Sequence, residues 1–186
     1  AQGVSFFASS GDAGSNPLET NQTAYFSSST GLAVSYPASD PSVVAVGGTT
    51  LAFPNSSAGT VQLPETTWSL DTGNYAAGGG VSLYINRPSW QVARGLPSGS
   101  RRCVPDVSAM ADYGDPSVNR APYTYVEGHA LVGGGTSLSS PIWAGLNALL
   151  NQARANAGLS SAGLITPKLY AAANTAAFND ITLGSI

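Results

Sequence analysis

Apolar residues recur along this chain at two spacings, and each spacing predicts a different element. Residues 3–8 and 42–46 are short apolar runs. Turn chemistry follows each: Ser9-Ser10-Gly11-Asp12-Ala13-Gly14 after the first and Gly47-Gly48 after the second. Both runs read as buried strands, with the glycine pair ending the second. Residues 49–53 read as a short extended piece. Residues 54–86 read as mostly loop around Gly78-Gly79-Gly80. Pro88 opens a segment, 88–93, that reads as a short helix with proline at its start. Residues 104–109 are a strand candidate weakened by Pro105. Residues 123–126 and 130–132 flank a turn and predict a hairpin. After Thr136-Ser137, the residues Ile142, Trp143, Leu146, Leu149, Leu150 and Ala153 form one apolar stripe at helical period. That stripe predicts an amphipathic helix starting just before Pro141. A second helix is expected over 167–173. Buried strands followed by helices predict an α/β fold with a mainly parallel sheet. The first strand has nothing before it and residue 186 closes no element, so the sheet is expected to be incomplete at both ends. No repeat or linker divides the 186 residues, which read as a single domain.

Composition narrows the functional classes. Hydrophobic residues make up 42%, enough for a sizeable core, whereas charged residues make up only 9%, against about 25% in an ordinary soluble domain. Seven Lys and Arg stand against ten Asp and Glu, a net charge of −3. No basic patch is available to neutralise a run of phosphates, which argues against a nucleic-acid partner. No apolar run approaches the roughly 20 residues of a membrane span. A chain with few carboxylates to protonate suits an acidic medium. A Ser-, Gly- and Ala-rich secreted protein has the same composition, so the expected location is secreted or an acidic compartment. Cys103 is the single cysteine and cannot form a disulfide within the chain; one Cys with one His, His129, also excludes a Cys/His metal cluster. Asn21-Gln22-Thr23 and Asn55-Ser56-Ser57 match the N-glycosylation pattern, which is common by chance in Ser-rich chains.

The strongest chemical signal is Gly133-Gly134-Gly135-Thr136-Ser137-Leu138-Ser139-Ser140-Pro141 at the head of the long helix. Glycines allow a sharp turn and close approach to a substrate. A serine at a helix N-terminus sits where backbone N–H groups and the helix dipole favour developing negative charge. Such a hydroxyl can be a nucleophile with oxyanion donors beside it. Read alone, Thr136 or Ser137 is more simply an N-cap. Read whole, Gly-Thr-Ser-x-x-x-Pro before a long helix resembles the nucleophile signature of subtilisin-like serine peptidases.

Further motifs separate two families of that fold. Ser9-Ser10-Gly11-Asp12-Ala13-Gly14 resembles the Ser-Ser-Gly-Asp-Ser-Gly motif of sedolisins, the serine-carboxyl peptidases. Residues 36–41 with 45–49, Gly78-Gly79-Gly80-Val81-Ser82, Arg87-Pro88-Ser89-Trp90-Gln91 and Val104-Pro105-Asp106-Val107-Ser108-Ala109 are similar to further sedolisin segments, in the family's order. His129 lies only eight positions before Ser137, which does not match the subtilisin histidine. The family's frequent Ser at the Gly134 position is a mild departure between two small residues. The resemblance covers about residues 4–182. It implies the subtilisin-like three-layer α/β fold, with Ser137 as nucleophile, Asp12 in the oxyanion hole, and Gly78, Gly79, Gly80 and Gly135 lining the substrate cleft. A carboxyl donates a hydrogen bond only while protonated, so Asp12 in that role predicts an acid optimum.

The resemblance also exposes a gap. A sedolisin uses a Glu base supported by an Asp four residues on. Glu19, Glu65 and Glu127 have no such Asp. The pair is expected on an N-terminal segment or companion chain outside these residues. The resemblance further implies a calcium ion in the complete enzyme, with Asp180 and the Ile181 carbonyl as part of its shell. Calcium needs six to eight oxygens, so these two cannot hold it alone. Asp106 is expected to serve the fold, Asp112 and Asp115 to be solvated, and Trp68, Trp90 and Trp143 to serve packing. The expected function is an acid-acting serine endopeptidase cleaving peptides or proteins. The alternatives are a non-catalytic binding domain or inactive fragment of the same fold, and a subtilisin-like Asp/His/Ser peptidase.

Overall fold

A computed structural model describes residues 3–15, 32–51, 64–70, 75–113 and 122–184. The glycosylation patterns at Asn21 and Asn55, and Asp115, lie outside these residues. The central sheet is built on β2 (Val43–Thr50). On one edge β2 pairs in parallel with β1 (Phe6–Ser9), from Phe6↔Val43 to Ser9↔Val46. Further along the same edge it pairs antiparallel with β3 (Thr66–Thr67). On the other edge it pairs in parallel with β6 (Val107–Met110). Two antiparallel pairs stand apart: β4 (Gly80–Asn86) with β5 (Arg101–Val104), and β7 (Tyr123–Val126) with β8 (His129–Val132). The helices are α1 (Thr136–Asn156) and α2 (Thr166–Ala172). The α/β reading and its parallel sheet hold.

Side chains on β2 alternate between faces, as a strand requires. Val44 and Val46 pack with Val107, Ala162 and Ile165, joined by Trp143 of α1 and Leu169 of α2. Ala45 faces the other way, against Ala38 and Val104. Both helices therefore cover one face of the sheet. Among the described residues, the loop around Val34 and Ala38 covers the other.

Several elements differ from expectation. Gly47 and Gly48 do not end a strand; β2 runs through them to Thr50. They are glycines because neighbours press on the strand: a Cβ on Gly47 would stand 2.7 Å from the Pro105 ring and Ser108 Oγ, and one on Gly48 2.5 Å from Ala111 Cβ. The region read as loop contains β3 and β4. The strand read over 104–109 is two strands, β5 and β6, broken at Pro105-Asp106. Residues 88–93 form a turn rather than a helix: the Gln91 amide donates to Pro88 O and that of Val92 only to Trp90 O. The Gln91 side chain is buried and bonds both the N–H and the C=O of Cys103 (2.9 and 2.8 Å), anchoring the turn sideways to β5.

The hairpin β7–β8 forms as expected. Its two-residue loop has positive φ at Glu127 (52°) and Gly128 (80°), the geometry that matches strand twist. Helix α1 begins at Thr136, and Pro141 lies inside it. Only part of its apolar stripe faces the sheet: Trp143 packs against Val44, Val46 and Val107. Leu146, Leu149 and Leu150 are 49%, 63% and 44% exposed. The sheet side is also held by polar groups: Ser139 Oγ donates to Ala109 O and Met110 O, and Trp143 Nε1 to Ser108 O.

Candidate active site

The site is assembled where the loop after β1 meets the start of α1. Thr136 is fully buried in the first helical turn; Ser137, the next residue, is exposed. That difference follows from helix geometry, since successive side chains point about 100° apart. The Ser137 N–H lies in the first turn, where a helix offers its amides no internal acceptor. Gly135 precedes the helix with φ 79°, a left-handed conformation that favours glycine.

Asp12 meets this helix end from the side. The Thr136 amide donates to Asp12 Oδ1 at 2.7 Å, and the Thr136 hydroxyl donates to the same oxygen at 2.8 Å. The hydroxyl oxygen in turn accepts from the Gly11 amide at 3.1 Å. Among the described residues, the hydrogen bonds to the Asp12 carboxyl group both enter Oδ1. Oδ2 lies against Gly135, 2.5 Å from where a Cβ would stand. A side chain at 135 would therefore displace Asp12.

Two close approaches hold the corner in shape. The Gly78 amide donates to Gly11 O at 2.7 Å, and a Cβ on Gly78 would stand 2.2 Å from Ser10 O. Gly78 and Gly79 are buried against this loop, and Gly80 alone of the three is exposed. The Gly135 amide donates to Ala111 O at 2.7 Å. A Cβ on Gly134 would meet that same oxygen at 2.3 Å and the Tyr113 ring at 2.5 Å. The exchange of Ser for Gly at 134 is thus not mild here: Gly134 lets the Tyr113 ring lie against the backbone. Tyr113 also meets the rings of Trp68 (6.0 Å) and Tyr75 (6.4 Å). Burial, with Tyr75, Asp12 and Asp112 nearby, pushes its phenol upward.

Other predicted residues lie elsewhere. His129 stands on the exposed hairpin. Asp112 is buried, against the expectation that it is solvated, because it directly follows Ala111, the residue that receives the helix entry. Asp106 accepts both guanidinium nitrogens of buried Arg102 at 2.6 Å, the Ala45 amide at 2.8 Å and the Tyr170 hydroxyl at 2.9 Å. It is a structural acid. Tyr170 is held neutral above the ordinary phenol value, first by burial and then by Asp106. Cys103 is a free, buried thiol that accepts from Arg87. Sequence reasoning missed the partnership of Thr136 with Asp12. The sequence offered only a second hydroxyl residue directly before Ser137 as its signal.

Asp180 and Ile181 line a cavity of about 860 Å³ that Glu65, Asp106 and Trp143 also line. Asp180 is exposed at its edge. Among the described residues, no group of three or more His, Cys, Asp or Glu is placed to hold a metal ion. Asp180 and the Ile181 carbonyl therefore do not fit calcium by themselves. No helix among the described residues is long and apolar enough to cross a membrane.

The chain is 45% identical to sedolisin of Pseudomonas over 161 residues, covering 84% of this chain and 25% of that protein. This chain belongs to the sedolisin family. It is also 35% identical to kumamolisin of Bacillus over 191 residues, covering 100% of the chain and 31% of the relative. Human tripeptidyl-peptidase 1 is 30% identical over 198 residues, covering 99% and 31%. The solved structure of Pseudomonas sedolisin, a serine-carboxyl proteinase complexed with pseudo-iodotyrostatin, superposes with a TM-score of 0.73 at 40% identity. It is matched over 98% of this chain and 47% of its own, and it carries the subtilisin-like fold. No protein-family model matches the chain. The chain spans between a quarter and a third of the length of the curated relatives it matches.

Proposed function

We propose that residues 1–186 are one domain portion, the nucleophile-bearing C-terminal part of a serine-carboxyl peptidase catalytic domain, acting on peptides or proteins in acid. The observation that carries this reading is the exposed Ser137 directly after Thr136, which holds Asp12 by Oδ1 and leaves Oδ2 without a hydrogen-bond partner among the described residues. Ser137 Oγ attacks the scissile carbonyl carbon while its proton passes to a carboxylate base. The carbonyl oxygen becomes an oxyanion, which the Ser137 N–H and protonated Asp12 stabilise. An ionised Asp12 would repel it. The base comes from protein outside these residues, a segment or companion chain carrying the Glu and Asp pair. The exposed stripe of Ile142, Leu146, Leu149 and Leu150 on α1 supports such a neighbour, since a contiguous apolar face next to a site marks an interaction surface.

The test uses the full-length protein at acidic pH. A peptide aldehyde should form a covalent hemiacetal at Ser137, read by mass spectrometry of the derived peptide. Failure to label Ser137 in a preparation that labels elsewhere would remove the assignment.

A further inference from the structure

The hydroxyl of Thr136 is a relay with no freedom left. Its oxygen accepts from the Gly11 amide, so its single proton is the one donated to Asp12 Oδ1. The Thr136 amide donates to that oxygen as well. A carboxyl oxygen has two lone-pair sites, so one that accepts two donors has no place left for a proton of its own. When Asp12 carries a proton, the proton therefore sits on Oδ2, against Gly135 and two residues from the nucleophile.

We infer that Thr136 is a positioning residue: it fixes which oxygen of Asp12 carries the donor proton and holds that oxygen toward the oxyanion. This rests on the reading of Asp12 as an oxyanion donor. Thr136 itself is fully buried, so it acts through Asp12 rather than on substrate. Gly135 supports the same geometry from the other side, since only a residue without a Cβ leaves room for Oδ2.

Two effects should appear together when the hydroxyl is removed. Misplacing a donor by a fraction of an ångström to an ångström costs about 10- to 100-fold in kcat. A hydrogen bond into a carboxyl oxygen favours the ionised form, so its loss extends the acid form to higher pH. A purely structural role would lower activity without moving the pH profile.

The experiment compares wild type, Thr136→Val, Thr136→Ala, Thr136→Ser and Asp12→Asn in the full-length protein, with folding checked by circular dichroism. Thr136→Val should lower kcat about 10- to 100-fold, leave KM within about twofold, and move the alkaline limb of the kcat profile to higher pH. Thr136→Ala should do the same if Thr136→Val misfolds. Thr136→Ser should restore both kcat and the limb. A folded hydroxyl-free variant with an unmoved limb overturns the inference, as does a Thr136→Ser variant that loses as much as Thr136→Val. If Asp12→Asn flattens the limb while Thr136→Val leaves it in place, the positioning role alone fails. If Asp12→Asn keeps the wild-type profile, the Asp12 reading fails and takes this inference with it.

Discussion

Asp12 and Asp106 occupy similar places and have opposite surroundings. Each sits just beyond the end of a strand or just before one, in the same parallel sheet, and each accepts a backbone amide from another element, Thr136 for Asp12 and Ala45 for Asp106. The Asp106 side chain is fully buried and takes both terminal guanidinium nitrogens of Arg102, whose side chain is also fully buried. Its carboxylate is paired with that buried guanidinium, and the pair is a strut between β5 and β6. Asp12 is half-buried, and among the described residues its hydrogen-bond partners are neutral. Nothing there ties its charge to a cation. The acid left without a guanidinium is the one bonded to Thr136, directly before the exposed Ser137.

The comparison can be broken by separating chemistry from stability. The largest effect belongs to Ser137→Ala, which should lower kcat on the order of 10³-fold or more while the melting temperature holds. A variant that keeps near wild-type turnover would remove the nucleophile assignment. Asp106→Ala should do the reverse. It leaves the Arg102 charge buried and unpaired, a cost of about 3–5 kcal/mol in chemical denaturation. A loss under 1 kcal/mol, by the scale of exposed pairs, would mean the pair is not the strut described. Asp12→Ala should lower kcat about 10²- to 10³-fold, as loss of an oxyanion donor does, with a small change in denaturation midpoint. If its loss appears mainly in stability, the two aspartates have the same role.

The smallest effect concerns Tyr170. Its phenol is raised above the ordinary 10.0 by burial and by Asp106, against a lowering contribution from the Gln91 hydrogen bond and from Arg102. A group raised on folding contributes stability that is complete below the unfolded value and is lost as pH rises through the folded one. Denaturation midpoints should therefore hold steady up to about pH 10 and fall above it. Tyr170→Phe should remove part of that alkaline fall. An identical slope in both proteins would count against the buried, neutral phenol.

The local motifs were legible in the sequence because their geometry is local. Thr136-Ser137 at the head of a helix, the hairpin at Glu127-Gly128, and the strand-to-turn step into Asp12 each depend on neighbours within a few residues. Contacts across the fold were not legible. Gly47 and Gly48 look like a turn but are places where Pro105, Ser108 and Ala111 press on a strand. Gly134 looks interchangeable with serine, yet Ala111 and Tyr113 occupy the space of its side chain. The apolar stripe on α1 predicted an amphipathic helix. Period alone identifies an apolar face and not its partner: Trp143 packs on the sheet beside polar Ser139, while Leu146, Leu149 and Leu150 are exposed. Asp106 reads as serving the fold, but that Asp112 is buried rather than solvated was not legible without the fold that surrounds it.

The central claim is that Asp12 works as a neutral donor. The most direct test is the pH profile of kcat for the full-length protein against Asp12→Asn, whose amide donates at every pH. The account predicts that wild-type kcat falls as pH rises out of the acid range, and that Asp12→Asn stays active with that fall removed. Superimposable profiles, or an Asp12→Asn variant inactive at every pH with its fold intact, would contradict it.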